Sequence, residues 1–184
     1  VSFSYKSEDK IQVSDLIIEI KAGEFVLLCG KSGCGKTTIS KMINGLIPHV
    51  IDGNYQGKVT IDNKAVREME TFEIDEKVGS IFQNPKTQFF NLDSDGELSF
   101  GLENMGVEPR LIKAIVQNTI NELAIENLKN RNVFELSGGE KQILAVASVY
   151  ATNPEIYVFD EPSANIDEYG IEKIREMLIK LKEQ

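Results

Sequence analysis

The stretch Gly30-Lys-Ser-Gly-Cys-Gly-Lys-Thr37 follows directly on the apolar run Phe25-Val-Leu-Leu-Cys29. That placement constrains the chain more than the string does. A phosphate-binding loop needs a strand that feeds a tight glycine turn and a helix that opens from it. Glu24 to Cys29 reads as a short buried strand, and Thr37 to Leu46 reads as the helix. Gly30, Gly33 and Gly35 allow backbone conformations that a Cβ would forbid, so successive N–H groups can converge on an anion. The helix N-terminus adds partial positive charge at the same point. Lys36 is expected to reach the β- and γ-phosphates, and the Thr37 hydroxyl to ligate Mg²⁺. Lys31, Ser32, Cys34 and Thr38 complete the set of expected nucleotide contacts. A glycine-rich turn that matches by chance is the alternative, and the flanking strand and helix argue against it. The expected ligand is a nucleoside triphosphate.

Two later segments bear on which kind of nucleotide chemistry follows. Ile156-Tyr-Val-Phe-Asp-Glu-Pro162 reads as an apolar strand that ends in two adjacent carboxylates. Neighbouring side chains of a strand point in different directions, so the two acids can do different work. Asp160 is expected to hold Mg²⁺ and Glu161 to polarise an attacking water as general base. A surface turn with two acids after a strand is the alternative. In Leu136-Ser-Gly-Gly-Glu-Lys-Gln142, a serine and two glycines head an apolar-periodic segment. Ser137 can cap that helix, and Gly138 and Gly139 allow an anion close to its backbone donors. A plain helix start is the alternative here.

With these residues in view, the chain resembles the ATP-binding cassette (ABC) family. LSGGEKQ is similar to the family's signature motif, and it lies between GKSGCGKT and IYVFDEP in the family's order. Ser163-Ala-Asn-Ile-Asp167 sits where the family has its D-loop. Gln83, in Ser80-Ile-Phe-Gln-Asn-Pro85, sits at the family's Q-loop glutamine, and Tyr5 matches the aromatic that stacks on adenine. The segments Ser80 to Phe89 and Leu98 to Gly106 further resemble the energy-coupling-factor importers of cobalt, nickel and vitamins.

The resemblance implies an ATP-hydrolysing subunit that powers a membrane transporter, with ATP and Mg²⁺ as ligands. Thr37, Gln83 and Asp160 would serve the metal, and Glu161, Gln83 and Lys36 the chemistry. Ser137, Gly138, Gly139 and Glu140 would face the γ-phosphate held by a second ABC ATPase domain in a head-to-tail dimer. That second domain could be an identical copy or a paralogue. A transmembrane subunit would be the other partner, which puts the protein at the cytoplasmic face of the membrane. Other readings are a soluble ABC ATPase without a transporter, a domain that binds ATP without hydrolysing it, and a small phosphate-loop kinase.

The chain also departs from the family. It starts inside the expected first strand and stops one helix after the D-loop, so it reads as trimmed at both ends and lacks the strand that carries the switch histidine. His49 does not match that position and reads as an ordinary loop residue. Ile143 stands where many relatives have arginine, and Glu140 where glutamine is commoner.

Composition limits the alternatives. The chain has 184 residues, 41% of them hydrophobic, enough to bury a core. No apolar run reaches membrane-spanning length, so a transport pathway would belong to another subunit. No signal-peptide pattern opens the chain. Two cysteines, Cys29 and Cys34, form a poor disulfide framework and suit a reducing cytosol. A net charge of -9 argues against a nucleic-acid groove.

Strands are expected near Val1 to Tyr5, Lys10 to Ile20, Glu24 to Cys29, Lys58 to Asp62, Val78 to Phe82 and Ile156 to Asp160. From about Asn84 to Tyr150 the pattern is helical. Pro109 opens one helix with Ile112, Val116, Ile120 and Leu123 along one face, and a last helix carries Ile171, Ile174, Leu178 and Leu181. The expected fold class is α/β. It combines a P-loop NTPase core with a mostly parallel sheet, an antiparallel N-terminal β portion and an inserted helical subdomain. Residues 1–83 and 151–184 would form the core, and 84–150 the helical subdomain with the signature motif.

Overall fold

A computed structural model describes residues 1–7, 10–164 and 166–183. The chain divides into two units, Val1–Val78 and Gly79–Gln184.

In the first unit, β1 (Ser2–Tyr5) turns Phe3 inward and pairs antiparallel with β2 (Gly53–Gln56), Phe3 lying opposite Tyr55. Phe3 is 1% exposed and clusters with Val13, Met42 and Ile47. Between the strands run α1 (Lys36–Ile43) and the short α2 (Leu46–His49). Then β3 (Thr60–Ile61) and β4 (Lys64–Ala65) form a small hairpin, and α3 (Thr71–Lys77) closes the unit.

Several expectations are corrected here. Neither Lys10 to Ile20 nor Glu24 to Cys29 forms a strand. The first contributes only an isolated bridge, Val13 to Phe3, and the second leaves Phe25, Val26 and Leu27 exposed. A continuous apolar strand needs ladder partners on both sides and cover on both faces. The strands of this unit pair with each other, β1 with β2 and β3 with β4, and leave none for that run. The helix after the glycine loop stops at Ile43 rather than Leu46. Asn44 caps it, and Gly45 at φ 76° turns the chain. His49 closes α2 rather than lying in a loop, and its Nε2 donates to the Val66 carbonyl at 2.9 Å.

In the second unit, β5 (Val78–Ile81) lies beside β6 (Ile156–Phe159). The Asp160 N–H donates to Ile81 O at 2.9 Å, which ties the C-terminal ends of the two strands together, so they run parallel. Residues 84–150 carry α4 (Ser94–Asn104), α5 (Pro109–Leu123) and α6 (Gly138–Thr152) with 3-10 turns between them. Among the described residues of that stretch the only extended pairing is the bridge between Asp93 and Asn132. The chain ends in α7 (Glu168–Glu183).

Helix α6 is the centre of this unit. Leu144, Ala145 and Ala147 are 0% exposed, and Ile143 and Val146 are nearly so, because α4, α5 and α7 all pack on it. Burying a side chain such as Leu144 stabilises the fold by about 1.5–3 kcal/mol. The expected face of α5 is present, with Ile112, Ile120 and Leu123 buried and Val116 packed beside them. On α7, Ile174 is buried and Leu178 and Leu181 pack on the core, whereas Ile171 is exposed. Among the described residues no helix is long and apolar enough to cross a membrane.

Candidate functional site

The glycine loop belongs to the first unit. Gly33 has φ 75° and Gly35 has φ 99°, both in the left-handed region that glycine tolerates best. Gly35 is constrained twice, because a Cβ there would meet the Gln12 carbonyl at 2.6 Å and Val13 Cγ2 at 3.3 Å. Gly35 is also the cap of α1 and brings no side-chain acceptor to the first turn. The start of a helix whose cap offers no side-chain oxygen favours an anion. Lys36 is the first residue of α1, and its Nζ turns back over the loop, donating to Gly30 O at 3.1 Å and Lys31 O at 3.3 Å. Its ammonium thus sits among backbone carbonyls of the loop it is expected to serve. Lys31, Ser32, Cys34 and Thr37 are exposed there, and Thr38 is buried.

Thr38 and Tyr5 meet. The Tyr5 hydroxyl and Thr38 Oγ1 share a hydrogen bond of 3.1 Å. The Tyr5 ring stands edge-on to Phe3, centroids 5.0 Å apart and planes at 86°.

The remaining expected residues belong to the second unit. Gln83 Nε2 donates to Glu161 Oε2 at 3.0 Å. Glu161 has φ 49°, a left-handed conformation that costs a non-glycine residue about 1–2 kcal/mol. Two backbone bonds hold that turn. Asp160 N–H donates to Ile81 O at 2.9 Å, and Ala164 N–H donates to Glu161 O at 3.0 Å. The carboxylates of Asp160 and Glu161 thus follow β6 on a fixed, strained turn.

Ser137 does cap a helix. Its Oγ accepts from the Glu140 N–H at 3.2 Å, and Glu140 Oε2 accepts from the Ser137 N–H at 2.8 Å, a closed capping box at the start of α6. The Ser137 N–H bond holds the Glu140 carboxyl below its usual value, against the opposing effect of burial and with help from the Ser137 side chain and the charges of Arg131 and Lys141. Gly139 sits against α7. A Cβ there would meet Asp167 Oδ1 at 3.2 Å and Gly170 Cα at 3.8 Å. Asp167 Oδ1 accepts from the Gly170 N–H at 2.8 Å, so the last residue of the expected D-loop starts α7. Asn165, inside that D-loop, lies outside the described residues.

Two supporting residues carried no signal in the sequence. Lys141 is 8% exposed, and its Nζ donates to Phe134 O and Leu136 O, which fastens the turn before Ser137 to α6. Glu97 on α4 is 4% exposed, and its Oε2 accepts from the N–H groups of Phe90 and Asn91 at 3.0 and 2.9 Å. It shapes the segment that follows Gln83. A lysine inside a motif and a glutamate in a helix's first turn look like surface residues until their burial is seen.

The family model described as ABC transporter matches residues 13–164. A Treponema denticola protein, provisionally named an ABC transporter ATP-binding protein, is 46% identical over 184 residues, 100% of this chain and 38% of that protein. YkoD of Bacillus subtilis, provisionally named an HMP/thiamine import ATP-binding protein, is 37% identical over 171 residues, 92% of this chain and 31% of its own length. The chain thus spans well under half the length of these curated relatives. Among solved structures, cbiO1 from Clostridium perfringens, described as part of the ABC transporter complex cbiONQ, gives a TM-score of 0.83 at 28% identity. It matches 99% of this chain and 71% of its own. The ATP-binding cassette MJ0796, in a dimeric post-hydrolysis state bound to ADP and Pi, gives 0.82 at 27% identity, with 100% and 81% covered.

Proposed function

The chain belongs to the ABC transporter family and has its P-loop NTPase fold, and from that premise we propose that it binds ATP and hydrolyses it to drive a membrane transporter. The observation that carries the reading is the glycine loop itself, with Gly35 left-handed at the start of α1 and Lys36 Nζ turned into the loop. In the finer form of the proposal, the transport is import of cobalt, nickel or a vitamin through a complex of the energy-coupling-factor type. The likeness to cbiO1 and to YkoD supports that form.

Each residue has a stated task. The N–H groups from Gly30 to Thr38 and the Lys36 ammonium bind the phosphates. Tyr5 stacks on the base. The Thr37 hydroxyl, the Asp160 carboxylate and the Gln83 amide oxygen are each hard donors of the kind Mg²⁺ takes, and the metal when bound would neutralise phosphate charge. Glu161 takes the proton of the attacking water, and Gln83 orients that carboxylate. Ser137, Gly138, Gly139 and Glu140 serve the nucleotide of a second ABC ATPase domain, identical or paralogous, in a head-to-tail dimer. The dimeric state of MJ0796 supports this arrangement. Residues 84–150 serve as a helical subdomain that addresses a transmembrane subunit, and residues 1–83 and 151–184 as the α/β core. The protein then works at the cytoplasmic face of the membrane.

The test is Mg²⁺-ATP binding by calorimetry, for the parent chain and for Lys36→Ala. Binding by the parent that is lost in Lys36→Ala supports the proposal. A parent chain that binds no ATP overturns it.

A further inference from the structure

The hydroxyl of Tyr5 does a job that base stacking would not require. Stacking needs only the ring, yet the Tyr5 hydroxyl shares a 3.1 Å hydrogen bond with Thr38 Oγ1. Thr38 is 5% exposed and lies in the first turn of α1, directly after Thr37. At the other end, Tyr5 is fixed by β1. Its ring packs edge-on against Phe3, itself 1% exposed in the unit's core. Strand β1 also braces the glycine loop from a second side. Phe3 O accepts from the N–H groups of Gln12 and Val13 at 2.9 and 3.1 Å, and the Gln12 carbonyl lies 2.6 Å from where a Cβ on Gly35 would sit. The loop is therefore bonded at Thr38 through Tyr5 and leaves no room beside Gln12 at Gly35, and both contacts lead back to Phe3.

From this we infer that Tyr5 is a positioning residue for the phosphate-binding loop, acting through its hydroxyl on Thr38, in addition to any contact of its ring with a base. The inference rests on the proposed nucleotide site and deepens it. A strut of this kind fixes the direction of the first N–H groups of α1 before a ligand arrives, so less ordering remains to be done on binding. It also links the base end of the site to the phosphate end through one side chain.

The two roles of Tyr5 separate with a ligand that has no base. Inorganic tripolyphosphate presents the phosphates alone, so a ring that only stacks on adenine cannot affect its binding. Affinities of tripolyphosphate and ATP are measured by calorimetry on the full chain, for the parent, Tyr5→Phe, Thr38→Val, the double variant and Thr38→Ser. Circular dichroism verifies that each variant is folded. Loss of one partly buried hydrogen bond predicts that Tyr5→Phe and Thr38→Val each weaken tripolyphosphate about fivefold. The double variant is expected to be no worse than either single one, since all three lack the same bond. Thr38→Ser, which restores the hydroxyl, is expected to recover most of the affinity that Thr38→Val loses. Unchanged tripolyphosphate affinity in Tyr5→Phe overturns the inference, as do additive losses in the double variant. A parent chain that binds neither ligand refutes the nucleotide site itself, which is a separate outcome.

Discussion

Gln83 and Glu161 are 78 positions apart in the chain and 3.0 Å apart in space, the amide of one donating to the carboxylate of the other. The contact forms because β5 and β6 are paired, so the residues just beyond their C-terminal ends are brought together. It places an uncharged donor on a carboxylate whose backbone is already held left-handed.

With Glu161 proposed as the general base, binding and turnover should respond differently to substitution there. Glu161→Gln is expected to slow ATP hydrolysis by about a hundredfold or more while ATP affinity stays near the parent's. Gln83→Ala leaves Glu161 in place without its restraint, so it is expected to lower turnover less than Glu161→Gln does. Single-turnover hydrolysis beside equilibrium binding measures both, and full activity in Glu161→Gln would remove that residue from the chemistry.

Gly35 makes a prediction about stability as well as ligand. An alanine there must adopt φ near 99° and push a methyl against the Gln12 carbonyl. The left-handed backbone alone costs about 1–2 kcal/mol, and about 2–8 °C in the thermal midpoint. Thermal unfolding of Gly35→Ala with and without ATP is expected to show a lowered midpoint and no shift on adding ligand. A variant that melts and binds like the parent would contradict the account of the loop.

The capping box of α6 predicts a dependence on pH. The Glu140 carboxyl is lowered in the folded chain from an ordinary value of 4.5, chiefly by the Ser137 N–H. Its contribution is therefore complete above about pH 4.5 and is lost as the pH falls through the lower folded value. The protection of the Glu140 amide, taken as its hydrogen exchange relative to the intrinsic rate at each pH, should fall over that acidic window. In Glu140→Gln the amide oxygen can still accept from Ser137, so the box survives and this component of the pH dependence disappears. An unchanged profile in Glu140→Gln would assign the acid sensitivity to another group.

The sequence is informative where local chemistry and fold agree. GKSGCGKT carries its geometry in its glycines, LSGGE carries the capping box in its own spacing, and Pro109 marks the first turn of α5. Two features were hidden for different reasons. Gly53-Asn-Tyr-Gln56 has no alternation of its own and is a strand only because β1 pairs with it. Phe25 to Leu27 has every local mark of a strand and forms none, because a ladder needs a partner that local sequence does not specify. The sequence singled out Gln83 and Glu161 separately, as expected site residues, and could not give the hydrogen bond between them. The burial of Lys141 and Glu97 depends on turns that fold back over each side chain, at Phe134 to Leu136 and at Phe90 to Asn91, which residue type alone does not announce.

Gly139 and Gly170 touch where neither has a side chain, with the Asp167 carboxylate closing the gap. Two helices that meet backbone to backbone leave only the Asp167 carboxylate beside the contact to absorb slip. A tilt of the LSGGEKQ end of α6 is therefore expected to carry α7 with it, like the two arms of one crank. A fluorophore on the outer surface of α7 would then report motions that begin at the signature motif.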